Sequence, residues 1–118
     1  SSGERQLLCF ARAMLAGAHI LILDEATSNL DEAADAAMQA LLRDEFASKT
    51  LLTIAHRLLT VADYDSILVL GAGRLLEQGA PATLLADEAS VLSSMAAALG
   101  DAGRAALIQK AAQRRTHV

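Results

Sequence analysis

The sequence predicts an α/β fold built on parallel strands, and three observations carry that prediction. Ile20-Leu21-Ile22-Leu23 and Thr50-Leu51-Leu52-Thr53-Ile54-Ala55 are short apolar runs of strand length, read as fully buried strands. Between them, residues 31–47 repeat their apolar side chains at helical spacing. Strand, helix, strand in that order is a βαβ crossover, which makes the two strands parallel. Ligands of open parallel sheets bind at the C-terminal strand edge. The first run ends there in two adjacent carboxylates, Asp24 and Glu25.

Composition narrows the class. The chain has 118 residues, enough for one small domain with a core, and 53 % of them are hydrophobic, which excludes a disordered chain. Aromatics are only 3 %, so Leu, Ile, Val and Ala build the core. No apolar run approaches the ~18–20 residues that cross a bilayer. No basic region followed by an apolar one opens the chain. It starts at Ser1, the expectation for a processed chain, an excerpt or an incomplete gene model. A net charge of −4 without a basic stripe argues against nucleic acid as a partner. Cys9 is the single cysteine, which excludes an internal disulfide and is expected in the core beside Leu8 and Phe10.

The elements follow in order. Ser1 to Ala16 reads as a helix capped by Ser1 or Ser2, with Leu7, Leu8, Ala11, Met14 and Leu15 at helical spacing and Gly17 as its stop. After the first strand, residues 26–31 are turn-rich, and Ser28-x-x-Asp31 fits a capping box. The helix from Asp31 repeats through Met38, Leu41, Leu42 and Phe46, with Asp35, Arg43 and Asp44 on its charged face. Leu58–Ala62 is a short helix. Residues 66–70 and 74–78 flank Gly71-Ala72-Gly73, a hairpin signal. Pro81 opens a helix at its first turn. Residues 90–99 and 101–113 are Ala- and Leu-rich helices broken at Gly100, followed by a frayed tail at 114–118.

Four features along this framework carry chemistry, and each also has an ordinary reading. Ser1-Ser2-Gly3 at a helix start is a cap. Its N–H groups, hydroxyls and helix dipole also suit an anion, with phosphate the natural ligand. Asp24-Glu25 is a surface pair, or a site in which one carboxylate holds Mg²⁺ and its neighbour polarises water. Alternation along a strand would point the two carboxylates differently, which suits two jobs. Mg²⁺ needs few protein carboxylates when phosphate oxygens complete its shell, and P-loop NTPases hold their metal with an Asp after a hydrophobic strand. Ser28-Asn29-Leu30-Asp31 is a cap or part of that site. His56 ends the second strand beside Arg57, in polar surroundings. His19 and His117 lack comparable context.

Taken together, Ser1-Ser2-Gly3-Glu4-Arg5-Gln6, Ile20 to Ser28, Leu30-Asp31 and Thr53-Ile54-Ala55-His56-Arg57 resemble an ATP-binding-cassette (ABC) transporter ATPase domain. Their order matches its signature motif, Walker B strand, D-loop and switch histidine. The likeness covers residues 1–99, including Leu7-Leu8-Cys9-Phe10-Ala11-Arg12-Ala13 and the hairpin from Ile67 to Arg74. Its flavour is similar to the multidrug-resistance-associated (C-type) subfamily. The resemblance implies the later part of an ABC ATPase domain over 1–99, a partial P-loop NTPase fold, and a C-terminal helical extension over 100–118.

The resemblance also implies roles. Asp24 would orient Mg²⁺ through water, Glu25 would be the general base on the attacking water, and His56 would contact the γ-phosphate. Ser1, Ser2, Gly3 and Glu4 would meet the γ-phosphate of an ATP held by a second ABC ATPase domain packed head to tail, and Asp31 would couple the two sites. Transmembrane domains would complete the transporter, with this part on the cytosolic face of the membrane.

The departures are specific. The leading Leu of the signature precedes the chain, Ser2 stands at the first Gly position, and Glu4 stands at the Gln position. Glu4 puts a carboxylate near phosphate and is the weaker contact. No Gly-x-x-x-x-Gly-Lys-Ser/Thr occurs, so the phosphate cradle lies outside the chain. The isolated chain is therefore expected to bind ATP very weakly, to hydrolyse none and to aggregate. Two alternatives stand beside the transporter: a soluble ATPase of the same superfamily, serving chromosome maintenance, DNA repair or translation, and a non-catalytic truncated product. The transported substrate is not legible.

Overall fold

A computed structural model describes residues 2–25, 27 and 29–113. Ser1, Ser28 and the tail at 114–118 lie outside the described residues. The chain divides between His56 and Arg57 into two units.

The first unit holds α1 (Ser2–Leu15), β1 (Ile20–Asp24), α2 (Glu32–Glu45) and β2 (Thr50–Ile54). β1 and β2 pair in parallel, from Ile20 opposite Thr50 to Asp24 opposite Ile54, as the βαβ order predicts. Backbone bonds continue past both strand ends. The N–H of Thr50 donates to the His19 carbonyl, and that of Glu25 to the Ile54 carbonyl, each at 2.9 Å. Gly17, at φ +66°, takes the left-handed conformation that follows the end of α1. Asp31 caps α2 by accepting from the Ala34 N–H at 2.8 Å.

The core of this unit is Phe10 of α1, Leu21 and Leu23 of β1, and Leu42 and Phe46 at the end of α2. Ala13, Met14, Met38 and Leu51 pack against it. Both helices thus cover the same face of the strands, and this corrects the reading of fully buried strands. β1 alternates between exposed and buried residues, because successive side chains point to opposite faces. Ile22 is 64 % exposed and Ile54 is 51 % exposed, and Ile20 and Leu52 also face outward. The same geometry corrects α1. Its inward face is Phe10, Ala13 and Met14, whereas Leu7, Leu8, Ala11 and Leu15 are exposed. Cys9, expected in the core, is exposed because it lies one position off that inward line. Asp35, expected on the charged face of α2, is buried and accepts from Gln39 Nε2 at 3.5 Å.

Burying a side chain of this size is worth about 1.5–3 kcal/mol, so the outward row Ile20, Ile22, Leu52 and Ile54 would favour association. We expect the isolated chain to self-associate, and Ile22→Thr with Ile54→Thr to lower the sedimenting fraction. Unchanged sedimentation would assign the association to another surface.

The second unit holds α3 (Leu58–Val61), β3 (Ile67–Gly71), β4 (Arg74–Gly79), α4 (Pro81–Ala86), α5 (Val91–Ala97) and α6 (Gly100–Ala112). β3 and β4 form the expected antiparallel hairpin, with Gly71 opposite Arg74. Ala72 and Gly73 both take positive φ, +49° and +74°, as a two-residue turn matched to strand twist requires. Pro81 opens α4, where its missing N–H is harmless.

α5 is capped twice: Ser90 Oγ accepts from the Ser93 N–H, and the Glu77 carboxylate of β4 accepts from the N–H groups of Val91 and Leu92 at 2.8 and 2.9 Å. Gly100, at φ +83°, makes the break between α5 and α6. Leu85, Leu92, Ala96, Leu107 and Ala111 form the core with Ala62, so α6 shares the core of α4 and α5.

Candidate active site

Asp24, Glu25 and His56 come together at the C-terminal edge of β1 and β2. Asp24 is the last residue of β1 and is exposed. The parallel register sets it opposite Ile54, and the Glu25 N–H bond to the Ile54 carbonyl extends the ladder by one residue. That extension brings Glu25 level with the end of β2, two residues before His56. The side chains then meet directly: His56 Nε2 lies 2.5 Å from Glu25 Oε1.

Glu25 reaches this position through an unusual backbone. Its φ is +51°, in the left-handed region that a residue with a Cβ rarely adopts. Such a conformation costs on the order of 1–3 kcal/mol. The His56 and Glu25 side chains are 79 % and 41 % exposed, and an exposed ion pair returns only ~0–1 kcal/mol. Stability therefore does not explain the arrangement. Strain held at a strand edge by a pair of polar side chains is characteristic of functional sites. Strand alternation had suggested that Asp24 and Glu25 diverge; the turn into the left-handed region, not alternation, sets the direction of Glu25. The sequence reading gave Glu25 and His56 separate jobs and missed their contact. The parallel register of two strands that each run into one of these residues was the signal for it.

The other candidates are placed as follows. Ser2, Gly3 and Glu4 form the first turn of α1, with Ser2 and Glu4 exposed. Ser1 lies outside the described residues. Arg5, Gln6 and Cys9 of α1 line a groove together with Leu23 and Asp24 of β1. The N-terminal half of α1 and the C-terminal end of β1 therefore border one space. Gln6 Oε1 is buried in this region without a hydrogen-bond partner among the described residues. Asp31 is set apart by its bond to Ala34, so one of its carboxylate oxygens has a structural task.

The donor set bears on which metal would fit. Among the described residues, no group of three or more His, Cys, Asp or Glu side chains gathers as a metal cage. Asp24 and Glu25 bring two carboxylates to the strand edge, and Mg²⁺ is an ion that takes one or two carboxylates and completes its shell with water and phosphate oxygens. Among the described residues no helix is long and apolar enough to cross a membrane.

No protein-family model matches the chain. Individual proteins do. The chain is 49 % identical over 113 residues to human ATP-binding cassette sub-family C member 4, a match to 96 % of this chain and 8 % of that protein. It is 48 % identical over 95 residues to ABC multidrug transporter B of Aspergillus fumigatus, covering 80 % of this chain and 6 % of that one. The ATP-dependent bile acid permease of Saccharomyces cerevisiae is also 48 % identical over 95 residues, again 80 % of this chain and 6 % of the permease. The chain thus spans less than a tenth of the length of these relatives. Among solved structures, a bacterial Atm1-family ABC exporter with ATP bound superposes with a TM-score of 0.78 at 39 % identity. That match covers 86 % of this chain and 18 % of the exporter chain.

Proposed function

The chain belongs to the ATP-binding-cassette transporter family, among relatives of its C subfamily, and from that premise we propose that residues 1–99 are the later part of its ATPase domain. In this reading they supply one wall of an ATP site with a P-loop NTPase fold, and hydrolysis powers export across a membrane. The observation that carries it is the Glu25–His56 pair beside Asp24 at one edge of a parallel strand pair. The relatives' names, transporter and permease, support transport over the soluble alternative.

Each residue has a role in the hydrolysis. Asp24, exposed at the strand end, would hold Mg²⁺, which neutralises phosphate charge when bound. Water attacks the γ-phosphorus, the bond to the ADP oxygen breaks, and Glu25 takes the proton from water as the P–O bond forms. His56 donates from Nε2 and keeps the Glu25 carboxylate aimed; the same nitrogen can turn to a γ-phosphate oxygen. Little covalent work falls to the protein in phosphoryl transfer, so such positioning is most of its contribution. Ser2, Gly3 and Glu4 present the first turn of α1 to the γ-phosphate of an ATP held by a second ATPase domain, a contact to which Ser1 is also assigned. Asp31, at the start of α2, lies on the loop that links the two sites. In this reading the transmembrane domains belong to the rest of the transporter, and this segment works at the cytosolic face. The isolated chain, without a phosphate cradle, is inactive.

The test uses the full-length protein reconstituted in vesicles. Asp24→Asn should raise the Mg²⁺ concentration for half-maximal ATP hydrolysis by ~10-fold or more, since it removes the carboxylate charge assigned to the ion. Parental Mg²⁺ dependence would remove Asp24 from the metal.

A further inference from the structure

The inward face of α2 changes chemistry along its length. At helical spacing, Asp35, Gln39, Leu42 and Phe46 share that face. Leu42 and Phe46, at the far end, belong to the core of the first unit. Asp35 and Gln39, in the first two turns, are 8 % and 6 % exposed. Gln39 Nε2 donates to Asp35 Oδ1 at 3.5 Å, a long bond that adds little stability. Apolar side chains would fill two such covered positions at less cost in desolvation. α1 repeats the order. Gln6, one turn before Phe10, lines the groove that Asp24 also lines, and its Oε1 is buried. Both helices are thus apolar away from the strand edge and polar where they approach it.

The first turn of α2 anchors the connection that starts at Glu25. A left-handed backbone at a residue with a Cβ persists only where its surroundings over-determine it. Upstream, the Ile54 carbonyl holds the Glu25 N–H. Downstream, the Leu30 N–H donates to the Thr27 carbonyl at 3.0 Å, the Leu30 side chain is buried, and Asp31 caps α2. The Asp35 N–H donates to the Asp31 carbonyl at 2.8 Å, so the connection ends on the turn that bears the Asp35 carboxylate. We propose that Asp35, oriented by Gln39, is a positioning residue for Glu25. Their buried pair fixes the first two turns of α2 and, through Asp31 and Leu30, the downstream end of the connection. Glu25 then keeps its left-handed backbone and its aim. The inference rests on the reading of Glu25 as the base given above.

The test is ATP hydrolysis by the full-length transporter carrying Asp35→Ala, Asp35→Asn, Glu25→Gln, or Asp35→Ala together with Glu25→Gln. Asp35→Ala should lower kcat by ~10-fold while the KM for ATP stays within ~2-fold, because misplacing a group costs rate more than binding. Asp35→Asn should keep most of the rate, since its amide oxygen still accepts from Gln39 and its shape is the same. In the Glu25→Gln background, Asp35→Ala should slow single turnovers by less than ~2-fold, as expected of a residue that acts through Glu25. Parental kcat in Asp35→Ala overturns the inference, as does a full additional loss in the double variant. Asp35→Asn as slow as Asp35→Ala also overturns it. So does a joint fall of kcat, affinity and folded fraction, which marks a structural role alone. If Asp35→Ala does not accumulate, Gln39→Leu decides by the same criterion: lower kcat at unchanged KM supports the inference, and parental kcat refutes it. Turnover retained in Glu25→Gln would refute the site reading itself, whereas its loss beside a parental Asp35→Ala would refute only the role of Asp35.

Discussion

Glu25→Gln in the full-length transporter should keep ATP binding and lose turnover by ~10²–10⁴-fold, the range that general-base catalysis supplies. The amide is nearly isosteric with the carboxylate, so the backbone turn at φ +51° and the ladder bond to Ile54 persist. An amide cannot take a proton from water. Asp24 still faces the metal, so binding of Mg·ATP should change little. Filter binding of labelled nucleotide together with phosphate release reads both quantities. Hydrolysis at more than a tenth of the parental rate would assign the base elsewhere.

His56→Ala should cost ~10²-fold in kcat, comparable to removing one preorganised donor from a reacting centre. Its effect on folding should stay below ~1 kcal/mol, because the pair with Glu25 is exposed. A thermal melt and an ATPase assay on the same preparation separate the two. A large loss of stability with a proportionate loss of activity would make His56 a structural residue.

Much of the local framework was legible in the sequence because it rests on local chemistry. The βαβ order gave parallel strands, Gly71-Ala72-Gly73 gave the hairpin, and Pro81 and Gly100 gave a helix start and a break. Asp31 was legible as a cap because its partner, Ala34, is three residues away. Burial was less legible. An apolar run shows which side chains seek cover, not which face receives it, so Ile20, Ile22, Leu52 and Ile54 read as core and stand exposed. Cys9, Leu8 and Leu15 failed for the same reason: several apolar faces can be drawn on α1, and contact with β1 selects one.

Contacts between distant residues were the least legible. Glu77 caps α5 from β4, and Lys110 reaches α3 across 51 positions; neither spacing leaves a mark on the sequence. At the site, resemblance supplied Asp24, Glu25 and His56 one by one. The left-handed turn at Glu25, which joins two of them, is a backbone choice that no residue type there announces.

Whether Glu25 and His56 act as one unit is tested most directly by single-turnover hydrolysis in Glu25→Gln, His56→Ala and the double variant. Groups that act together lose their function together. The double variant should therefore fall within ~3-fold of the slower single variant. Losses that multiply, so that the double variant is slower by the product of the two single effects, would show that the residues contribute independently and would contradict the paired site.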